Sequence, residues 1–133
     1  APAKNLIQGI AAINAGADAI YIGAPLYGAR SNATNSIEDV AELVKYAHLF
    51  NAQVFVVINT ILYDNELESC RQMIWKLYQI NVDALIIQDM AIMEMELPPI
   101  VLHASTQANN RDEDKIKLKY FSIYLSNLLF IIL

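Results

Sequence analysis

The sequence has a single cysteine, Cys70, in 133 residues. A lone thiol rules out an internal disulfide framework, fits a reducing compartment, and cannot by itself build a four-cysteine cluster site. Glycine is scarce, with four residues in all. No G-x-G-x-x-G or G-x-x-x-x-G-K-[ST] follows any apolar run, which counts against the nucleotide-binding versions of an α/β sheet. Positive charge is in deficit: nine Lys and Arg against fourteen Asp and Glu give a formal net charge of −5. Such a chain repels phosphate backbones and is, on electrostatics alone, a poor nucleic-acid binder. No apolar stretch approaches the roughly 20 residues of a membrane helix. The longest, Leu128 to Leu133 (LLFIIL), falls well short, so no membrane span or membrane partner is expected. Ala1 to Gly9 (APAKNLIQG) holds one lysine and no apolar run of signal-peptide length, which makes the cytoplasm the expected location.

What is present is apolar and periodic. Hydrophobic residues make up 56% of the chain and charged ones 17%, a composition that folds or associates rather than staying disordered, and the length suits one core. One small unit occurs three times: a helix, one Gly or Asn, then a short apolar strand. Its copies end in Asn14 to Gly23 (NAGADAIYIG), Phe50 to Asn59 (FNAQVFVVIN) and Ile80 to Asp89 (INVDALIIQD). Gly16, Asn51 and Asn81 stand where a left-handed residue closes a helix. The helices carry core-facing steps of three and four, Ile37, Val40, Ala41, Val44 and Ala47 in one, Leu67, Cys70, Ile74 and Leu77 in the next. Ser36 with Asp39 reads as a capping box, and Asp64 precedes a helix with Glu66 and Glu68 in its first turn.

Ala19 to Ile22, Val54 to Ile58 and Ala84 to Ile87 are apolar without alternation, as strands covered on both faces are. Val101 to Ala104 (VLHA), after Pro98-Pro99, reads as a further strand, and Ala1-Pro2-Ala3 as the end of an earlier one. Parallel strands under outer helices leave a doubly wound sheet or a (β/α)8 barrel, and a whole barrel takes about 250 residues. A partial (β/α)8 barrel is therefore the expected fold.

The loops after these strands carry a recognisable series. Ala17 to Gly23, Tyr27-Gly28-Ala29-Arg30, Asn59-Thr60-Ile61-Leu62, Asp83 to Met90, and Leu97-Pro98-Pro99-Ile100 followed by His103-Ala104-Ser105-Thr106-Gln107 resemble, in order and spacing, the collagenase-like peptidase family, number thirty-two among peptidases of unknown mechanism. The Asn32-Ala33-Thr34-Asn35-Ser36 and MEMELPPIVLHASTQ stretches resemble its branch that makes 5-hydroxycytidine in large-subunit ribosomal RNA. The resemblance runs from Ala1 to about Lys117. It implies that residues 1–117 are the N-terminal half of a family barrel domain and that residues 118–133, LKYFSIYLSNLLFIIL, are a divergent apolar tail of the kind a frameshift or truncation leaves. The missing initiator methionine is read as missing upstream coding sequence. The resemblance also implies an iron-sulfur cluster in the full-length protein only, and no cofactor in this chain.

Barrel chemistry comes from the C-terminal ends of strands. The residues found there are Tyr27 and Arg30, Asn59 and Thr60, Gln88 and Asp89, then His103, Ser105 and Gln107. Arg30 is suited to clamp a carboxylate or phosphate, or to pair with a neighbouring loop. Asn59, Gln88 and Gln107 suit neutral hydrogen bonding to a polar substrate, or satisfy loop backbone. His103, Ser105 and Asp89 are the candidate catalytic set of a serine-hydrolase reading, though the sequence sets none of the distances a relay needs. The alternative for His103 is a hydrogen-bonded histidine at the barrel mouth. No metal site is expected, since His103, Asp89 and Asn59 form a poor ligand set and His48 is at a helix end. Met90, Met93 and Met95 read as packing.

Three readings follow: part of an RNA-hydroxylating family protein, part of a peptidase, or an inactive interaction module. The chain alone is expected to be inactive, with an RNA or protein substrate only for the full-length protein. Open strand edges and an apolar tail lead us to expect self-association.

Overall fold

The three helix-to-strand junctions repeat one geometry. Gly16, Asn51 and Asn81 have positive φ, at 92°, 55° and 62°. Each donates its N–H to the carbonyl three residues back, Ile13, His48 and Tyr78 respectively. The next residues, Ala17, Ala52 and Val82, donate to the carbonyls of Ala12, Ala47 and Leu77. These are the paired bonds of a Schellman motif, which satisfy the last helix carbonyls and turn the chain toward the sheet. Asparagine serves at two of the three because its short polar side chain tolerates the left-handed region.

The computed structural model describes residues 1–28, 35–108 and 130–132. Within them the strands are β1 (Pro2–Ala3), β2 (Ala19–Gly23), β3 (Gln53–Ile58), β4 (Ala84–Ile87), β5 (Val101–Ala104) and β6 (Phe130–Ile132). They form one sheet in sequence order, every neighbouring pair parallel. The helices are α1 (Leu6–Asn14), α2 (Ile37–Leu49) and α3 (Leu67–Gln79). Sequential parallel strands with intervening helices are the wall of a (β/α)8 barrel, here in part. The four strands read from the sequence are all present, and the opening residues do form the end of an earlier one. The tail adds β6 beside β5. Phe130–Ile132 are strand, within a run of apolar residues whose type the sequence left open, whereas Phe121 to Ser126, where the alternation lay, fall outside the described residues.

Helix starts are built as the sequence indicates at α2. Ser36 Oγ accepts the Asp39 N–H at 3.0 Å, and Asp39 accepts the Ser36 N–H at 2.9 Å. At α3 a 3-10 turn, Asp64–Glu66, comes first, and Glu66 rather than Asp64 folds back, accepting the Tyr63 N–H at 2.9 Å. The helices bury Val40, Leu43, Val44 and Ala47 from α2, and Cys70, Met73, Ile74 and Leu77 from α3. Leu43 and Met73 widen the stripes that the three- and four-residue steps outlined. They pack on Ile20, Ile22, Val54, Val56, Ile58, Leu85, Ile87 and Leu102, the outward-facing strand residues. Each such buried side chain contributes about 1.5–3 kcal/mol.

Helices α1 and α2 meet at Gly9. A Cβ there would stand 2.6 Å from Leu43 Cδ1, and Leu43 is fully buried. We expect Gly9→Ala to destabilise the chain by about 1 kcal/mol, overpacking outweighing the gain in helix propensity. Adding Leu43→Val should recover that loss, which chemical denaturation of the three variants measures.

Candidate functional site at the strand C-termini

Register fixes which residues share a row across the sheet. Tyr21, Phe55, Ala84 and Val101 are mutual partners, and two residues further on so are Gly23, Val57, Ile86 and His103. Both rows belong to the face opposite the helices. A second apolar cluster forms there from Phe55, Ala84 and Ile86, with Ala19, Tyr21, Val57 and Val101 packed against it. The Phe55 ring stands edge-to-face with Tyr21 at 5.4 Å and with His103 at 5.0 Å, so three rings run across this concave face. The ladder extends one residue beyond the strands, since Gln88 N–H donates to Ile58 O and Ser105 N–H to Ile87 O. By strand alternation Asn59, Gln88 and Ser105 continue the concave side as its next row. Gln107 lies two residues on, exposed, in the 3-10 turn Thr106–Ala108. Arg30 lies outside the described residues.

The loops above this edge are tied together. Thr60 Oγ1 donates to the Tyr27 carbonyl at 3.1 Å, and the Tyr27 hydroxyl shares a hydrogen bond with Ser69 Oγ. Asp89 accepts the Leu62 N–H on Oδ2 at 2.8 Å and the Ala91 N–H on Oδ1 at 2.9 Å. It thereby caps the 3-10 turn Met90–Glu94 and anchors the β3 loop to the β4 loop. Of Met90, Met93 and Met95, Met93 is buried in the core, Met95 packs against it and Met90 is exposed. One positioning residue escaped the sequence reading. Asn35 is buried and its Nδ2 donates to Lys4 O at 3.1 Å and Gly23 O at 3.2 Å, joining the ends of β1 and β2 to the start of α2. The only signal for it was an amide directly before the N-cap Ser36.

His103 is 5% exposed, and its Nδ1 is the one buried side-chain polar atom among the described residues without a hydrogen-bond partner. Burial lowers its pKa from the ordinary 6.5, which favours the neutral ring. The bonds of a serine-hydrolase relay are not formed. Both Asp89 oxygens are taken by backbone amides, and Ser105 Oγ accepts the Gln107 N–H at 3.2 Å. His48 belongs to the opposite, N-terminal end of the sheet. Its Nε2 lies 3.0 Å from Asp83 Oδ2, which also accepts the Val54 N–H at 2.7 Å, a contact that locks α2 to the start of β4. Among the described residues no three His, Cys, Asp or Glu side chains converge as metal ligands. Cys70 is buried on α3, and burial pushes its thiol up to about 12, with Asp89 and Glu66 adding repulsion. One protonated, buried thiol does not fit an iron-sulfur cluster, which is held by several thiolates.

The sequence profile described as "Peptidase family U32" matches residues 4–120. The chain belongs to peptidase family U32. Among curated relatives, it is 54% identical over 116 residues to the 23S rRNA 5-hydroxycytidine C2501 synthase of Escherichia coli, covering 87% of this chain and 18% of that protein. It is 36% identical over 111 residues to tRNA hydroxylation protein P1 of Bacillus subtilis, covering 80% and 26%. Against a collagenase of Porphyromonas gingivalis the identity is 26% over 120 residues, covering 88% and 29%. The chain thus spans under a third of each of these relatives. Among solved structures, phosphonopyruvate hydrolase superposes with a TM-score of 0.61 at 14% identity, over 96% of this chain and 49% of that one. A 2,3-dimethylmalate lyase gives 0.58 at 12%, over 99% and 55%. At such identities the likeness is one of fold, and the match to half of a larger chain agrees with a partial barrel.

Two outcomes follow for this U32 chain. Cys70 should resist alkylation in the folded state and react at the rate of global unfolding, which mass spectrometry after timed iodoacetamide exposure would show. His103, with its folded pKa below its unfolded one, contributes stability that is complete above pH 6.5 and is lost as pH falls through that value, because the unfolded ring then takes up a proton that the folded ring refuses. Denaturation midpoints at about pH 7.5 and about pH 5.5 should therefore fall further for the parent than for His103→Leu.

Proposed function

We propose that this chain supplies barrel strands to an RNA-hydroxylating protein of family U32, one that makes 5-hydroxycytidine in ribosomal RNA. The observation that carries the reading is the 54% identity to the E. coli 23S rRNA 5-hydroxycytidine synthase, set against 26% to the collagenase. The geometry supports it, since neither Asp89 nor Ser105 is bonded to His103 as peptide hydrolysis by a relay requires. The amides of Asn59 and Gln88 follow adjacent strands at the C-terminal edge, where neutral hydrogen bonding suits a nucleobase better than it suits nucleophilic attack. On this reading any iron-sulfur cluster is held by other parts of the longer polypeptide, and RNA phosphates are met by basic surface outside this acidic segment. The reaction takes place in the cytoplasm, where ribosomal RNA is found. No helix among the described residues is long and apolar enough to cross a membrane.

The test is a graft. Residues 4–117 of this chain replace the matched segment of the E. coli enzyme in a strain lacking that enzyme, and 5-hydroxycytidine in 23S rRNA is measured by mass spectrometry. Restored hydroxylation is expected. A graft that accumulates and melts like the parent enzyme but leaves the cytidine unmodified, or that cleaves gelatin or casein, would overturn the proposal.

A further inference from the structure

We infer that His103 is a substrate-contacting residue, its ring held on the concave face to hydrogen-bond an uncharged group, the edge of a nucleobase, rather than to serve the fold. The inference deepens the reading above and rests on it for the identity of the ligand.

Three observations carry it. Nδ1 is buried without a partner, in a row whose other members are Gly23, Val57 and Ile86, and the ring packs against that of Phe55. An apolar residue would pack in these surroundings without leaving a polar atom unsatisfied, so folding alone gives no reason for an imidazole. Second, the row lies directly beneath the one that Asn59, Gln88 and Ser105 continue, at the end of the sheet where barrels bind ligands. Gly23 contributes no side chain to that row, and the Gly28 backbone packs beside it, with Gly28 Cα 4.0 Å from where a Gly23 Cβ would stand. Third, among the described residues no carboxylate is bonded to the ring: Asp89 accepts from Leu62 and Ala91, and Asp83 is paired with His48 and Val54 at the other end of the sheet. A neutral imidazole offers one donor and one acceptor, which matches a neutral heterocycle and discriminates against a bare anion. Because Nδ1 is out of reach of solvent in the free chain, the ring must turn or its cover must part to admit the base. The bond then forms without competing water and is stronger for it.

The experiment has two arms. In the first, the 133-residue chain and its His103→Leu variant are unfolded in urea at pH 7.5. The expected result is an unfolding equilibrium constant for the variant equal to or below that of the parent. An increase of more than about 10-fold, the size expected on losing a satisfied core hydrogen bond, would show a structural histidine and overturn the inference. This arm needs no activity, so it stands even if the graft proves inactive and the functional reading fails. In the second arm, His103→Leu and His103→Gln are placed in an active graft. We expect His103→Leu to lower hydroxylation at least 100-fold without lowering the melting temperature, and His103→Gln, which keeps a neutral donor and acceptor, to recover at least a tenth of the parent rate. Hydroxylation by His103→Leu within threefold of the parent, or equal loss in both variants, would overturn it.

Discussion

The in-register parallel ladder from β2 to β5 is the constraint on which the rest of the structure depends. Because side chains alternate, the pairing Gly23↔Val57↔Ile86↔His103 commits one set of residues to the concave face and sends Ile22, Val56, Leu85 and Leu102 under the helices. A slip of one residue in any strand would exchange the two sets, placing His103 among leucines and isoleucines and turning Leu102 inward. The energy that prevents this is the outer core, eight large aliphatic strand residues each worth about 1.5–3 kcal/mol on burial. The position of His103 is thus determined by residues on the opposite face of the sheet.

The same ladder explains how a chain so poor in glycine makes its turns. Each helix must return the backbone to the N-terminal end of the next strand within a few residues. The three Schellman closures do this with Gly16, Asn51 and Asn81 alone. The hydrogen bond from His48 to Asp83 and that from Val54 N–H to the same carboxylate then fasten α2, β3 and β4 at that end. With the N-terminal end held rigid, the C-terminal loops are free to differ in length and content, which is the division of labour expected of a barrel.

Much of this was legible in the sequence because it rests on local signals. Unalternated apolar runs gave β2, β3 and β4, and the short run after Pro98-Pro99 gave β5. The three left-handed positions were readable from residue type, since Gly and Asn tolerate positive φ and each follows a periodic segment at the same offset. The tail resisted because Leu128 to Leu133 is uniformly apolar and carries no period of either kind, so the strand character of Phe130–Ile132 within it emerges only from pairing with β5. The candidate site was legible as a set of positions but not as a set of bonds. Asn59, Gln88, His103 and Ser105 follow from the strand ends, whereas the occupation of Asp89 by Leu62 and Ala91 depends on how two loops meet, 27 residues apart in sequence for the first of them. Asn35 was missed for the same reason, its partners lying 31 and 12 residues away.

The fate of Asp89 bears most directly on chemistry. A carboxylate at the strand end next to that of a histidine and a serine suggests a relay, yet the Asp89 carboxylate is held in place by a backbone amide on each oxygen, Leu62 on one and Ala91 on the other. Withdrawing either oxygen to orient His103 would leave an amide of Leu62 or Ala91 without its partner, at a cost of about 1–3 kcal/mol, and would release the β3 loop from the β4 loop. The acid is therefore bound into the architecture of the mouth. Besides Asp89, the next row of that edge and the imidazole beneath it are uncharged: the amides of Asn59 and Gln88, the Ser105 hydroxyl, and a His103 ring that burial disposes to neutrality. Such a surface recognises by hydrogen-bond pattern and shape. It leaves charge neutralisation, and any redox chemistry, to groups brought from elsewhere.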